Sequence, residues 1–578
     1  MSSRIKILYP TTPKLGLVHR FFGVIESKQA SDRLILRVLF FATLGGLLSA
    51  AIIFNNSFVS ETPAVGGTII EGIIGTPRFV NPALAVTRAD QDMTALIYAG
   101  LMKINQSGTL VPDLAESITP SDDGKTYNVL LRPNLQFHDG TTLTAHDVAF
   151  TIGLIQNPEL KSPLRGNWSG VAVEEISDTE LNIVLEEAYS PFIENFTLGI
   201  LPRHLWNDLK IEQVPFSQLN TAPIGAGPFA ISHTEHDSTG LINSYTLTSF
   251  STNEPVQLAS FEIKFYQNED ELVTAFSQNE IMSSVYLPTT IMQEIANTPS
   301  HYITQEPLPR VFAVFFNQNR SAALRDTAVR LALAAAIPRT ELVHTALQDY
   351  GVPIVTPVPV TSSTVESISQ TGTSTLEQAT TILTRAGWIK DNTGGWEKRI
   401  DGETQKLSIS LRTANSPLFE QTTEIIARAW RELGVEVKVE QFQQGDLLQA
   451  VIRPRDFEAL LFGLDMSRAV DLYPFWHSSQ REDPGLNIAQ YANIEVDRLL
   501  TSARTASTTE ARDAAVSTAT SIITREVPAI FLFVPNVVYV QDSRVTMTPI
   551  SHISKPSERF MNVNEWHMNT DTLWPLFK

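Results

Sequence analysis

The chain has 578 residues, of which 43% are hydrophobic and 18% are charged, a balance typical of globular domains with large cores rather than of disordered chains. Its formal charge of −19 repels nucleic acid, and no stripe of lysine and arginine interleaved with aromatic residues offsets that repulsion, so nucleic acid is not an expected partner. The absence of cysteine excludes disulfides, thiolate nucleophiles, iron–sulfur clusters, cysteine-ligated zinc and lipid attachment at a cysteine.

The N-terminal region predicts a membrane anchor. Residues 38–54 carry no charge and the apolar run continues to Val59, close to the roughly 20 apolar residues that span a bilayer. Residues 1–37 contain seven lysines and arginines against two acidic residues, so this leader is expected in the cytoplasm and the body of the protein outside. A cleaved signal peptide, which usually has an apolar region of about 7–15 residues, and a buried core helix are the alternatives.

The next part of the chain mixes strands, turns and helices. Residues 60–67 are small, polar and broken by proline, which predicts a short tether. The patterns that follow are a β-rich stretch at 68–72, a turn-prone loop at 76–83, helical spacing at 91–101 and a strand at 126–132 between turns at 123–124 and 138–140. Thr144 followed by Asp147 predicts a capping box for a helix that begins at Ala145.

The later part of the chain repeats strand and helix, which indicates an α/β fold. Its predicted strands are 311–317, 435–439 and 529–534, and its predicted helices are 326–337, 376–386, 419–433, 494–503 and 510–526. Residues 361–375 are dominated by Ser, Thr and Gly and are expected to form a surface loop.

Short motifs in a fixed order run through residues 66–566. They include Phe79-Val80-Asn81-Pro82, Leu110-Val111-Pro112-Asp113-Leu114, Asp123-Gly124-Lys125-Thr126-Tyr127, Phe137-His138-Asp139-Gly140, Pro223-Ile224-Gly225-Ala226-Gly227-Pro228-Phe229, Val329-Arg330-Leu331-Ala332, Phe475-Trp476-His477-Ser478 and Tyr491-Ala492-Asn493. In this order they resemble the periplasmic peptide-, dipeptide- and nickel-binding proteins called solute-binding protein family 5. Individually, motifs such as Phe137-His138-Asp139-Gly140 are explained by turn geometry alone.

The resemblance implies a periplasmic-binding-protein-like α/β fold: two lobes joined by two crossing strands, an extra domain inserted near the N-terminus, and ligand enclosed between the lobes. The boundaries expected on this basis are leader 1–37, transmembrane anchor 38–59, tether 60–67, lobe I (68–109, 222–309 and 524–578), inserted domain II (110–221) and lobe III (310–523).

The function that the resemblance implies is peptide capture for an ABC importer, without enzymatic activity, cofactor or metal. The chain is expected to be a monomer. Its expected partners are peptides, the permease and ATPase subunits of the importer, and the membrane through the N-terminal helix. A receptor for peptide signals, a binder of nickel chelates or sugars, and a surface scaffold that does not transport are the alternatives.

Six residues are expected to contact ligand. In resembling proteins an aspartate near the end of a lobe III strand receives the peptide amino terminus; Asp465 is the first candidate here and Asp471 the second, because an ammonium in a closed cleft needs a carboxylate. The placement departs from the family pattern at Leu464, where Trp is usual, and at residues 469–470, where Asp-Pro is common. Three further candidates, Arg78, Phe79 and Asn81, lie in the loop 76–81, and Arg78 is expected to meet a carboxylate end of the ligand. The sixth candidate, Trp476, is expected beside the cleft.

Two patterns that resemble enzyme motifs are interpreted otherwise. His233-Thr234-Glu235-His236-Asp237 lacks the spacing of a helical zinc motif and is followed by Ser-Thr-Gly, so a solvated loop is predicted. In residues 166–170 the serine stands one position late for a nucleophile elbow.

Overall fold

A computed structural model describes residues 30–58, 60–250, 255–359, 376–400, 402–466, 468–506, 508–549 and 551–573. These residues fall into two compact units, 1–64 with 569–578 and 65–568. The segment 361–375, predicted as a surface loop, lies outside the described residues.

The smaller unit contains one long helix, Ala30–Phe58, and a two-stranded ribbon. Within the helix, Leu34–Phe54 is long and apolar enough to cross a membrane, a property that a signal sequence near the N-terminus shares. The ribbon pairs Ser60–Ala64 with Asn569–Leu573 in antiparallel register. Residues 60–64 of the predicted tether form a strand, because hydrogen bonding to a distant C-terminal segment overrides the low strand propensity of this proline-containing stretch. Their role as a tether stays a prediction.

The larger unit is built on a twelve-stranded mixed sheet. The spatial order of its main path is Glu436–Phe442, Ser408–Ala414, Ala459–Asp465, Arg310–Phe316, Ala529–Asp542, Ser283–Ser284, Thr68–Ile74, Ser260–Tyr266, Ile242–Ser249 and Phe229–His236. Two further strands, His301–Pro307 and Gly351–Pro353, pair with Ala529–Asp542.

Two segments run through both halves of this sheet. Ala529–Asp542 pairs with Arg310–Phe316 through its first residues and with His301–Pro307 through its last. His301–Pro307 and Arg310–Phe316 are separated by two residues, so they form the second crossing segment. The strand predicted over 529–534 is thus correct in place but eight residues too short, since its second half contains polar residues that pair across the sheet.

The side chains of Arg310–Phe316 point alternately to the two faces of the sheet in lobe III, and helices pack on each face. Its buried side chains divide between two clusters, Phe312, Val314 and Phe316 in one and Val311, Ala313 and Phe315 in the other. The first cluster includes Thr327–Ala336, Leu376–Arg385 and Pro417–Leu433; the second includes Ile494–Arg504 and Thr509–Glu526. Together with the sheet these layers form the α/β architecture that the strand and helix pattern predicted.

Residues 110–221 contain a separate four-stranded antiparallel sheet, in the order Ala115–Pro120, Thr126–Leu131, Glu180–Leu185 and Val171–Ser177. Ala145–Gln156 is a helix, and the Asp147 carboxylate accepts the Thr144 N–H at 2.8 Å, as the predicted capping box requires. A short hairpin, Met102–Ile104 with Leu110–Pro112, stands where this region leaves lobe I.

The remaining elements of the larger unit are mostly short. The helices are Arg88–Ile97, Arg165–Trp168, Arg203–Trp206, Glu269–Ser277, Met292–Ala296, Ala322–Arg325, Arg339–Leu347, Gln444–Asp446, Leu447–Ile452 (a π-helix) and Tyr473–Trp476. The 3₁₀ turns are Ser190–Thr197, Ile211–Phe216, Gln218–Asn220, Thr289–Ile291, Ser478–Gln480, Pro556–Phe560 and Val563–Glu565. A small sheet of Ile389–Lys390, Trp396–Ile400 and Glu403–Lys406 completes lobe III.

The turn 137–140 has a structural role. Gly140 adopts a φ of 84°, and the Thr141 N–H donates to Asp139 Oδ1 at 3.0 Å, as expected for this motif. The His138 N–H donates to the Gly225 carbonyl at 2.8 Å, which ties domain II to the glycine-rich segment 223–229. A Cβ atom on Gly225 would lie 2.0 Å from the Ile97 carbonyl oxygen, so this close backbone approach requires glycine.

A buried charge cluster ties four parts of lobe I together. Arg559 is paired with Glu71 at 2.8 Å and with Asp92 at 2.9 Å, and all three side chains have at most 6% of their surface exposed. The Tyr539 hydroxyl donates to Glu71 at 2.7 Å, and the Tyr286 hydroxyl donates to Asp92 at 2.6 Å. Burial, with the nearby carboxylates, raises the pKa of both tyrosines well above its usual value, so both stay donors.

Candidate functional site

A cavity of about 450 Å³ lies where lobe I, domain II and lobe III meet. By the boundaries expected from the sequence, its lining comes from 82–104, 226–228, Phe250, Val256 and 554–564 in lobe I, from 110–114 and 164–199 in domain II, and from Met466 and Arg468 in lobe III. Apolar walls, such as Trp168, Leu198 and Phe560, alternate with a few charged side chains. This mixture of apolar surface and a few placed polar groups is typical of small-ligand sites.

Three charged side chains face this cavity from the three regions. Arg468 of lobe III pairs with Glu558 of lobe I at 2.5 Å, and the two side chains are 13% and 5% exposed. The Ser554 hydroxyl and N–H donate to the two oxygens of Glu558 at 2.5 and 2.6 Å. Glu194 of domain II is the third member, and it lies against the backbone N–H groups of Ala469 and Arg468.

The electrostatics of Glu194 differ from those of a surface carboxylate. Burial raises its pKa to about 7, and Glu558 adds to the rise, while Arg468 and the N–H groups of residues 468–469 oppose it without cancelling it. Arg468 already pairs with Glu558, so the cluster of Glu194, Arg468 and Glu558 has a net charge of −1 when all three are ionised. A ligand group with one positive charge would therefore neutralise this cluster.

Two further cations and one acid line the same cavity. Lys103 lies 3.9 Å from Asp113, so this pair is close to electrically neutral. Lys555 is exposed.

A second contact joins domain II to lobe III at Asp471. Its carboxylate accepts Nη2 and Nε of Arg504 at 2.6 and 2.9 Å and the Tyr189 hydroxyl at 3.2 Å. The Tyr473 N–H donates to its other oxygen at 3.0 Å. The Arg504 guanidinium also lies 3.9 Å from the centroid of the Tyr473 ring. Asp471 is thus 8% exposed with both oxygens engaged, between two regions but outside the cavity lining.

Asp465 ends the strand Ala459–Asp465, as the family resemblance led us to expect. Its side chain is 72% exposed and forms an ion pair with Arg310, its neighbour across the strand pair. Asp465 is not among the residues that line the cavity, although Met466, the next residue, is. Its role as the acceptor of a ligand amine stays a prediction.

The loop 76–81 is held by its backbone. The N–H groups of Arg78 and Phe79 both donate to Asp90 Oδ1 at 2.7 Å. The Arg78 guanidinium is exposed and lies 5.2 Å from the centroid of the Phe79 ring. Asn81 is fully buried, and its side-chain amide donates to Asn220 at 3.1 Å. The adjacent Pro82, rather than any of these three candidates, lines the cavity.

Trp476 is fully buried in the lobe III core. Its ring packs against Phe315, Tyr491 and Phe531, with centroid distances of 5.8 to 6.2 Å. Its side chain has no exposed surface and is not among the residues that line the cavity, so its contact with ligand stays a prediction.

The histidine-rich segment is a strand, which corrects the predicted loop. His233 to His236 belong to Phe229–His236, the last strand on the main path of the large sheet, and pair with Ile242–Ser249. The polar composition suggested a loop, but strand pairing satisfies the backbone while the side chains project from the sheet. In the part of the chain that the structure describes, no group of three or more His, Cys, Asp or Glu is arranged to hold a metal.

Inspection of the sequence missed Glu194, Arg468 and Glu558. Glu194 does have a signal, since it is a lone acid between Phe192 and Phe196 in an otherwise apolar and polar-neutral turn. Nothing local marks Glu558, whose partner Arg468 is 90 residues away. The charge pairing of the cavity depends on contacts between regions that no local pattern records.

Comparison with known proteins assigns a family to this arrangement. A family model described as "Bacterial extracellular solute-binding proteins, family 5 Middle" matches residues 109–483, more than half of the chain. The oligopeptide-binding protein AppA of Bacillus subtilis is 26% identical over 482 residues, which are 82% of this chain and 87% of that protein.

Solved structures support the same fold. AppA from Bacillus subtilis in complex with a nonapeptide has a TM-score of 0.65 at 24% identity, and the match covers 88% of this chain and 100% of that one. NikZ from Campylobacter jejuni in complex with Ni(L-His) has a TM-score of 0.64 at 24% identity, with coverage of 86% and 99%.

Proposed function

The chain belongs to the bacterial extracellular solute-binding proteins of family 5, and from this premise we propose that it captures peptides in the cavity between its lobes and delivers them to an ABC importer. The observation that carries the proposal is the cavity itself, because its lining is drawn from lobe I, domain II and lobe III. A ligand held there touches all three regions. Its binding energy is then available to hold them closed.

Peptides fit such a site for a general reason. A protein that accepts many peptides gains affinity from what all peptides share, their backbone amides and charged ends. Side chains are accommodated in wet pockets through adaptable water. The relative solved with a nonapeptide supports this ligand class, and the relative solved with Ni(L-His) makes a nickel chelate the main alternative.

We further propose that the helix around Leu34–Phe54 stays uncleaved as a single-pass anchor and that the body lies outside the cytoplasm. The relatives are substrate-binding proteins, and we assign non-covalent binding rather than catalysis to this chain. Fusing a reporter that is active only outside the cytoplasm to the C-terminus, and measuring the mass of the membrane-bound chain, tests both points. If this reporter is inactive on the membrane-bound chain, the proposed orientation is refuted.

Mass spectrometry of ligands that co-purify with the full chain in detergent tests the function. Peptides of mixed sequence support nutrient capture, whereas one defined species favours a signal receptor or, if it contains nickel, a chelate binder. A chain that retains nothing, and binds no member of a random peptide mixture after unfolding and refolding, refutes peptide capture and favours a scaffold. Delivery is tested by deleting the gene for this chain in its host, which should abolish uptake of labelled peptide.

A further inference from the structure

We infer that Glu194 is the acceptor for a positively charged group of the ligand, either the terminal ammonium of a peptide or a basic side chain. The inference rests on the proposed peptide-binding function and deepens it. It differs from the expectation that Asp465 receives the amine.

The position of Glu194 is inside the cavity. It belongs to the 3₁₀ turn Ser190–Thr197, whose Phe192 and Phe196 are buried in the core of domain II. Packing on both sides therefore holds the turn and directs Glu194, Asn195 and Thr197 to the cavity wall. The segment that begins at Arg468 closes against the same carboxylate, so a ligand group at Glu194 also lies next to lobe III.

Glu194 forms no ion pair within 4 Å among the described residues, although the charged side chains of the cavity sum to zero. Among the residues that the structure describes, the charged side chains that line the cavity are Lys103, Asp113, Glu194, Arg468, Lys555 and Glu558. Lys103 pairs with Asp113, and Arg468 pairs with Glu558. Lys555 is exposed, which leaves Glu194 as the half-buried carboxylate without a side-chain cation of its own.

The pKa of Glu194 supports the same reading. Burial raises it to about 7, which shows that the positive groups around it do not compensate for lost hydration. A ligand cation would supply the missing stabilisation and favour the ionised carboxylate. The two aspartates expected from the family resemblance are already paired, Asp465 with Arg310 and Asp471 with Arg504.

The test compares the full chain in detergent with its Glu194→Gln variant, and Glu159→Gln serves as the matched control because Glu159 is an exposed carboxylate of domain II outside the cavity. A random peptide mixture identifies one well-retained peptide. Calorimetry then measures three forms of it: unmodified, N-acetylated, and with its Lys and Arg replaced by uncharged residues.

We expect Glu194→Gln to weaken binding of the unmodified peptide roughly 10- to 100-fold, the range for a hydrogen bond to a charged group, and Glu159→Gln to have no effect. The modified form that lacks the recognised cation should bind wild type and Glu194→Gln equally. If acetylation produces this equality the cation is the terminal ammonium, and if side-chain replacement produces it the cation is a basic side chain.

The pH profile separates ligand contact from mere packing. In wild type, affinity for the unmodified peptide should fall as pH drops from 7.5 to 6, roughly the range around a carboxyl pKa near 7, because protonation neutralises Glu194. Glu194→Gln should lose this dependence. Equal affinity of Glu194→Gln and Glu159→Gln, or an equal loss for all three peptide forms, overturns the inference while peptide binding stands. Absence of any peptide binding by wild type overturns both.

Discussion

Replacing Arg559 by Leu should destabilise lobe I strongly. The guanidinium lies between Glu71 and Asp92, which are 0% and 1% exposed, so its removal leaves two buried carboxylates without a cation. Removing one partner of a buried ion pair lowers the free energy of unfolding by about 3–5 kcal/mol, because the other charge stays buried without compensation. Replacing all members of the pair by apolar residues costs far less. We therefore expect a loss of about 3–5 kcal/mol in the free energy of unfolding.

The control is Arg544→Leu, because Arg544 pairs with Asp542 nearby but is 67% exposed. The Asp542 side chain is only 13% exposed, but the Arg544 guanidinium is mostly in water, so this pair contributes about 1 kcal/mol. Urea unfolding followed by circular dichroism measures the difference. Hydrogen exchange of the crossing strand Ala529–Asp542, which supplies Tyr539, reports whether the loss is local to lobe I.

The combined variant Glu71→Gln, Asp92→Asn and Arg559→Leu separates charge from packing. It removes the two unpaired charges while keeping acceptors for Tyr539 and Tyr286, so it should recover most of the stability lost in Arg559→Leu. The reasoning is refuted if Arg559→Leu costs no more than Arg544→Leu, or if the combined variant is less stable than Arg559→Leu.

Three further predictions use different contacts. Asp465→Ala tests the alternative to Glu194: if Asp465 rather than Glu194 receives the terminal ammonium, this variant weakens binding of free-amine peptides and spares N-acetylated ones, and equal losses in calorimetry contradict that role. Arg504→Leu leaves the carboxylate of Asp471 with neutral donors only, which should cost about 1–3 kcal/mol by thermal unfolding, and an unchanged melting temperature contradicts it. Gly225→Ala should cost about 1–3 kcal/mol or more because its Cβ would meet backbone, whereas Gly153→Ala, in an exposed and open helical position, should be neutral or stabilising.

The strands and helices that local patterns predicted are present in the structure. Ser, Asp and Gly at helix ends mark real boundaries: Asp326 caps Thr327–Ala336, and Gly434, with a φ of 100°, ends Pro417–Leu433. These features depend on residues within one turn of each other, so a sequence reader can recognise them. The strand 529–542 was predicted too short because Pro535 and Asn536 interrupt its apolar pattern, while neighbouring strands on both sides stabilise the residues that follow.

Candidate residues were harder to predict than elements. The family motifs placed the loop 76–81 and the end of the strand at Asp465 near the cavity, yet the cavity lining comes from their neighbours Pro82, Met466 and Arg468. A shift of one or a few residues changes which side chain faces a site, and a motif does not record that direction.

The sequence by itself determined the apolar N-terminal helix, the α/β character of lobe III and the family, because each rests on composition, periodicity or motif order. Only the tertiary structure decided which charges meet. Arg559 and Glu71 are 488 residues apart, and Arg468 and Glu558 are 90 apart. Whether a carboxylate is neutralised, buried or left to bind a cation depends on such distant partners, since electrostatic energy follows separation in space and exposure to water rather than position along the chain.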